Sequence, residues 1–146
     1  MDRKVCIAEF AALQQSLSKL KNASVLTESA KGENYVLSYL AGRKEDVNPK
    51  DISQLLNVSS ARTAVILKNL EKRELVRRYK DPDSNRQTLV KILPRGVEQH
   101  LFVQETFEHS VNGLIEALGE EDFVQYMKLK KRILSYYENK QTGKKG

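Results

Sequence analysis

Between residues 48 and 73 two short apolar-striped segments follow one another with only three or four residues between them, and no other feature of this 146-residue chain restricts its fold as much. Asn48 can cap the first segment, with Pro49 at its first helical position, Asp51 in its first turn and Ile52, Leu55 and Leu56 as its stripe. Asn57-Val58 closes it, and Ser59 is the cap of the next. From Ser59 onward Thr63, Ile66, Leu67 and Leu70 fall on one side of a helix at about 100° per residue, so that side faces a core. Ala61, Val65, Lys68 and Lys72 then lie opposite, flanked by Ser60, Arg62, Ala64 and Asn69. Two such helices around so short a connection form a helix-turn-helix pattern. The outward face of the second has small residues near its start and cations farther on, which suits close approach to a DNA groove.

The remainder reads as helices around one hairpin. Ile7, Phe10, Leu13, Leu17 and Leu20 recur at helical steps from Val5 to about Leu20, and a second helix runs from about Lys31 to Ala41, stopped by Gly42. Residues 43–46 are a polar connector. After the helix-turn-helix, Leu75–Tyr79 and Gln87–Ile92 read as strands joined by the turn formers of Lys80–Arg86. Pro94 opens a long helix, striped by Val97, Leu101, Phe107, Val111, Leu114 and Leu118, that ends at Gly119. A last helix starts with Glu120, Glu121 and Asp122 at its positive end and carries Phe123, Met127, Ile133, Leu134 and Tyr137. The expected fold is mainly α with a small two-stranded β wing, in a single domain of residues 1–146 with a disordered tail at 140–146.

The charge of the chain is focused. Its net +6 resides in residues 49–96, where eleven basic side chains face five acidic ones, while the two flanks cancel. A focused excess attracts a polyanion such as nucleic acid, whereas a merely solvated basic face would need no focus. Motifs of catalysis are absent: there is no Gly-x-Ser-x-Gly, no phosphate-cradling glycine loop and no His-Glu-x-x-His. His100 and His109, nine residues apart on one helix, point to opposite faces and cannot share a metal. No enzyme, metal or cofactor is expected. Cys6, the one cysteine, excludes an intrachain disulfide; beside Arg3 and Lys4 it is a candidate redox thiol, against the plainer role of a small buried hydrophobe. No apolar run reaches the roughly 18 residues needed to span a bilayer, and Met1–Phe10 lacks the apolar stretch of a signal peptide, so a cytoplasmic protein without membrane contact is expected.

In order and spacing these elements resemble the MarR family of bacterial winged-helix transcriptional regulators, from about Val5 to Tyr137. The resemblance is carried by Asp51-Ile52-Ser53-Gln54-Leu55-Leu56-Asn57-Val58-Ser59, by Leu70-Glu71-Lys72-Arg73, and by Asp81-Pro82-Asp83-Ser84-Asn85-Arg86 through Gly96. Three positions depart from it. Glu74 stands where the family has a glycine in the left-handed conformation. Ser84-Asn85-Arg86 replaces Asp-x-Arg, leaving Asp83 as the substitute partner for the arginine. Leu93 replaces a capping threonine.

The resemblance implies a homodimer on a pseudo-palindromic duplex DNA site, paired through a helical part at 1–30 and 97–139, with residues 31–96 as the DNA-binding winged helix-turn-helix lobe. The wide apolar faces of the terminal helices point the same way. The family contains many repressors released by small, often aromatic, effectors. The expected DNA-binding set is Ser59, Ser60, Arg62, Val65, Lys68, Asn69 and Lys72 on the recognition helix, and Arg77, Arg78, Lys80 and Arg86 on the wing. A winged-helix adaptor docking an acidic protein and a non-specific architectural DNA binder are the rival readings.

Overall fold

Capping side chains stand where the helix starts require them in the computed structural model, which describes residues 1–20 and 32–143. Asp2 accepts from the Lys4 backbone N–H (2.9 Å), Asn48 Oδ1 from that of Asp51 (3.0 Å) and Ser59 Oγ from that of Arg62 (3.1 Å). The helices that follow are α1 (Arg3–Lys19), α3 (Pro49–Leu56) and α4 (Ser60–Lys72), with α2 (Gly32–Ala41) between the first two. Strands β1 (Val76–Lys80) and β2 (Thr88–Ile92) and helices α5 (Pro94–Leu118) and α6 (Glu120–Gly143) complete the described elements. The expected fold class, mainly helical with a two-stranded wing, is the fold observed.

The chain divides into two compact units, Met1–Phe107 and Glu108–Gly146, with the boundary inside α5. The first unit holds the core. Val36, Leu37 and Leu40 of α2, Ile52 of α3, Ile66, Leu67 and Leu70 of α4, and Leu75, Val76 and Val90 around the hairpin are all buried. These stripes are the ones the periodicity indicates, except that Leu55, expected on the stripe of α3 with Ile52 and Leu56, is 43% exposed. Val47 joins them because the chain after the connector forms one bridge with β2: the Val47 and Val90 backbones exchange both hydrogen bonds (3.3 and 2.7 Å). That rung makes the connector part of the sheet edge. In the second unit, the rings of Phe123 and Tyr126 lie tilted by 52° with centroids 6.5 Å apart, while α6 has no buried residue.

Both helices of the helix-turn-helix end in a left-handed residue. Asn57 (φ 52°) lets the Val58 N–H reach the Ser53 carbonyl at 3.1 Å. Glu74 (φ 58°) does the same for α4: its own N–H reaches Glu71 O at 2.9 Å and the Leu75 N–H reaches Leu70 O at 3.0 Å. This is a Schellman closure with a glutamate in the position that favours glycine. The next helix begins without a side-chain cap, since Pro94 occupies its first position and the Leu93 carbonyl accepts from Gly96 and Val97. Gly96 is required by close approach: a Cβ there would stand 2.1 Å from the Leu75 carbonyl oxygen.

The tail expectation needs correction. Residues 140–143 are helical, and 144–146 lie outside the described residues. Side chains fasten that last turn to the one before, because Lys140 Nζ sits 5.1 Å from the Tyr136 ring and Thr142 Oγ1 donates to the Glu138 carbonyl. The expected start of α2 at Lys31 also falls outside the described residues, as do 21–30 of the expected dimerisation part.

Candidate nucleic-acid interface

The recognition helix is held from behind by a polar contact as well as by its core face. Thr63, 1% exposed, places Oγ1 2.7 Å from Ser53 Oγ of α3 and 3.1 Å from the Ser59 carbonyl. The two helices therefore keep one crossing geometry while α4 turns its other side to solvent. On that side Ser59, Ser60, Arg62, Val65, Lys68, Asn69 and Lys72 are all exposed. Lys68 and Lys72 have no ion-pair partner among the described residues. Neither acidic residue near the end of α4 is free: Glu71 binds Arg78 and Glu74 binds Arg95 at 2.7 Å. The outward face thus carries cations, small side chains and the apolar Val65.

The hairpin register sorts the wing residues. Val76 pairs with Ile92, Arg77 with Lys91, Arg78 with Val90, Tyr79 with Leu89 and Lys80 with Thr88. Side chains alternate along a strand, so Arg77 and Lys91 share the face away from the core, and both are exposed. Like charges directly opposite in a ladder repel, a cost that a nearby anion removes. Lys91 is thereby added to the wing cations, a residue whose position opposite Arg77 only the register reveals. Arg78 points instead to the core side of the hairpin and spends its guanidinium on Glu71, linking wing to recognition helix. Lys80 is exposed at the end of β1.

The wing tip is closed by its own backbone. The Asp81 N–H donates to the Gln87 carbonyl (2.9 Å), the Gln87 N–H to the Ser84 carbonyl (2.9 Å) and the Ser84 N–H to the Asp81 carbonyl, and Asp81 Oδ1 accepts from the Asp83 N–H at 2.9 Å. Arg86 is exposed and in no ion pair among the described residues, so Asp83 does not take the place of the missing aspartate. On the second rung from the turn, the Tyr79 hydroxyl donates to Asp46 of the connector. That hydrogen bond, then burial, then the negative charges of Asp46 and Asp81, hold the phenol above its ordinary titration range.

Beside the lobe, α2 and the first half of α5 enclose a cleft of about 720 Å³ lined by Tyr35, Ser38, Val97, His100, Leu101 and Phe107, among others. Cys6 is half-buried on α1, near Arg3, Ile7 and Phe10. Among the described residues no cluster suited to a metal occurs, and no helix is long and apolar enough to cross a membrane.

Residues 37–88, from the buried face of α2 to the first residue of β2, match the model of the MarR family. No curated protein matches the chain in sequence. Among solved structures, the YusO protein from Bacillus subtilis superposes with a TM-score of 0.68 at 14% identity, covering 90% of this chain and 94% of that one. The S. aureus MepR-DNA complex gives 0.63 at 20% identity, with 88% and 95% covered. S. aureus MepR bound to ethidium bromide gives 0.57 at 21%, with 88% and 93% covered. At these identities the likeness is one of fold.

Proposed function

We propose, on the premise that residues 37–88 are a MarR-family segment, that this chain is a sequence-specific, double-stranded-DNA-binding transcriptional regulator, a cytoplasmic repressor acting as a homodimer. The observation that carries the reading is the outward face of α4, where Ala61, Val65, Lys68 and Lys72 are exposed with no carboxylate among them. Such a face can follow a major groove, with Ser60 and Arg62 at its leading end, Val65 against a thymine methyl and Lys68, Asn69 and Lys72 on bases or backbone. Ser59 caps that end, Arg77, Lys80 and Lys91 neutralise phosphates, and Arg86 enters the flanking minor groove. Arg78 acts through Glu71, fixing the wing.

The dimer reading rests on apolar surface. Phe10 (65% exposed), Leu17 (49%), Leu134 (57%) and Tyr137 (58%) of α1 and α6 face solvent in a lone chain, and neither helix has a buried residue. Pairing of the terminal helices would cover them. The aromatic-lined cleft of α2 and α5 is the proposed effector site, and MepR bound to ethidium bromide supports an aromatic occupant. The MepR-DNA complex supports DNA as the macromolecular partner.

Selection of bound fragments from genomic DNA tests the reading, followed by affinity measurements on the enriched site, its scrambled version and a range of salt concentrations. Enrichment of an inverted repeat, with scrambled DNA bound at least a thousandfold more weakly, is expected. Equal affinity for all sequences would turn the protein into an architectural binder, and no binding to duplex DNA at low salt would favour the adaptor. Sedimentation showing a monomer at micromolar concentration would remove the dimer.

A further inference from the structure

The outward stripe of α4 changes chemistry along its length. At about 100° per residue, Val65, Lys68 and Lys72 all lie within about 40° of Ala61, so these four form the front of the recognition helix, with Ala64 about 60° to one side. Ala61, Ala64 and Val65, in the first two turns, are exposed and carry no donor or acceptor on their side chains. Lys68 and Lys72 follow about 10 and 16 Å farther along the axis. The hydrogen-bonding side chains of the same helix sit off the front. Ser60 stands at one edge, and Arg62 and Asn69 stand at the other, where they line a cleft with Glu33 and Asn34 of the α2 start.

Val65 has nothing to gain from solvent. It is 49% exposed, whereas its neighbour Ile66 is 4% exposed and packs in the core. A β-branched side chain loses rotamer freedom in a helix, and an exposed position returns no packing for that loss. A local preference broken without return inside the fold is expected where the surface meets a second molecule. The front is also fixed in direction, because Thr63 on the opposite side is buried and its hydroxyl stands 2.7 Å from that of Ser53.

We propose that this stripe reads thymine by its methyl group: Ala61 and Val65 meet C5 methyls in the major groove of an A·T-rich half-site, and Lys68 and Lys72 add charge attraction farther along. The inference rests on the DNA-binding function proposed above and adds to it the base that is read. The recognition helix of a helix-turn-helix turns its N-terminal residues to the base edges, and that end of α4 is the apolar one. Thymine alone among the four bases shows a methyl group in the major groove, whereas guanine and adenine are read by paired hydrogen bonds. Ala61, Ala64 and Val65 have no groups to make such bonds. Their small size lets the helix backbone come close, so that the methyl groups lose their water on contact.

Affinity on the operator enriched from genomic DNA, with each thymine replaced in turn by uracil, tests the proposal. Uracil keeps the hydrogen-bonding edge of thymine and lacks only the methyl. At one or more thymines of each half-site, uracil should weaken binding about fourfold, the worth of one buried apolar carbon. Val65→Ala, with its fold checked by circular dichroism, should bind the thymine duplex more weakly and should cut that penalty below about twofold at one of these positions. Lys72→Ala should weaken the thymine and uracil duplexes alike and leave their ratio unchanged. Unchanged binding at every uracil position, or a full penalty at every position in folded Val65→Ala, overturns the proposal, while enrichment of an inverted repeat upholds the regulator reading. Equal affinity for all sequences, or no duplex binding at all, overturns both.

Discussion

Ser53 Oγ and Thr63 Oγ1 stand 2.7 Å apart, one on each helix of the helix-turn-helix, with two hydroxyl protons shared among three contacts. Thr63 can donate to the Ser59 carbonyl while accepting from Ser53, or Ser53 can donate to the Pro49 carbonyl while accepting from Thr63. Thr63→Val keeps the shape and removes the link. It should destabilise the fold by about 1 kcal/mol in urea unfolding, the net worth of a buried hydrogen bond. A Ser53→Ala, Thr63→Val double variant should cost less than the sum of the two singles, because the residues act together.

Glu74 sets two effects of opposite sign against each other. Its left-handed backbone costs about 1–2 kcal/mol relative to glycine, whereas its ion pair with Arg95 is exposed on both sides and contributes about 0.2–1 kcal/mol. The strain is larger. Glu74→Gly should therefore raise the stability by about 0.5–1 kcal/mol, and Glu74→Ala, which keeps the strain and loses the pair, should lower it slightly. Thermal melts of both variants give the comparison.

Gly96 admits no side chain, because the Leu75 carbonyl it would strike is backbone and also accepts from the Leu93 N–H at 3.0 Å. Gly96→Ala should cost about 1–3 kcal/mol or more despite the better helix propensity of alanine, measured as a shift in the denaturation midpoint.

Tyr79 predicts a loss of stability in alkali. Its phenol holds its proton more tightly folded than unfolded, chiefly through the hydrogen bond to Asp46, so the unfolded chain ionises first. The contribution is fully present below the unfolded value of about 10 and disappears as pH rises from there through the folded value. Unfolding curves across that range should fall more gently for Tyr79→Phe than for the parent. Parallel curves would remove the Asp46 link from the account.

On DNA, Lys68→Ala should weaken binding without unfolding the protein, since Lys68 is exposed and unpaired among the described residues. A base contact should cost about 1–3 kcal/mol and relax specificity, while a phosphate contact should weaken all sequences alike. Arg86→Ala should lose most on sites with A·T-rich flanks, and Ser84→Asp should tighten binding by supplying the carboxylate that Asp83 does not. Affinity on sites differing only in their flanks separates these outcomes, and no change with either flank means that the wing stays out of the groove.

The features legible in the sequence by itself are local in the chain. The caps at Asn48 and Ser59, the stripes of α2 and α4, the turn at 81–86 and the outward cations of α4 all depend on residues within about four positions of one another, where helix and strand periodicity govern. Glu74 marks the edge of that reach: the sequence exposes the conflict, and the fold resolves it by accepting the left-handed residue. Tertiary structure alone decided which polar groups pair. Arg78 turns to Glu71, Arg73 reaches forty residues back to Glu33, and Tyr79 reaches Asp46 across thirty-three. Charges on an exposed surface look alike in a sequence, because ion pairing depends on distances of a few ångströms that only chain folding sets. For the same reason Val47 stands in the sequence as a lone apolar residue after a polar connector, and it joins the sheet edge only because its backbone meets Val90. The flank of α4 that carries Arg62 likewise became half of a cleft only when the starts of α2 and α5 closed its other side.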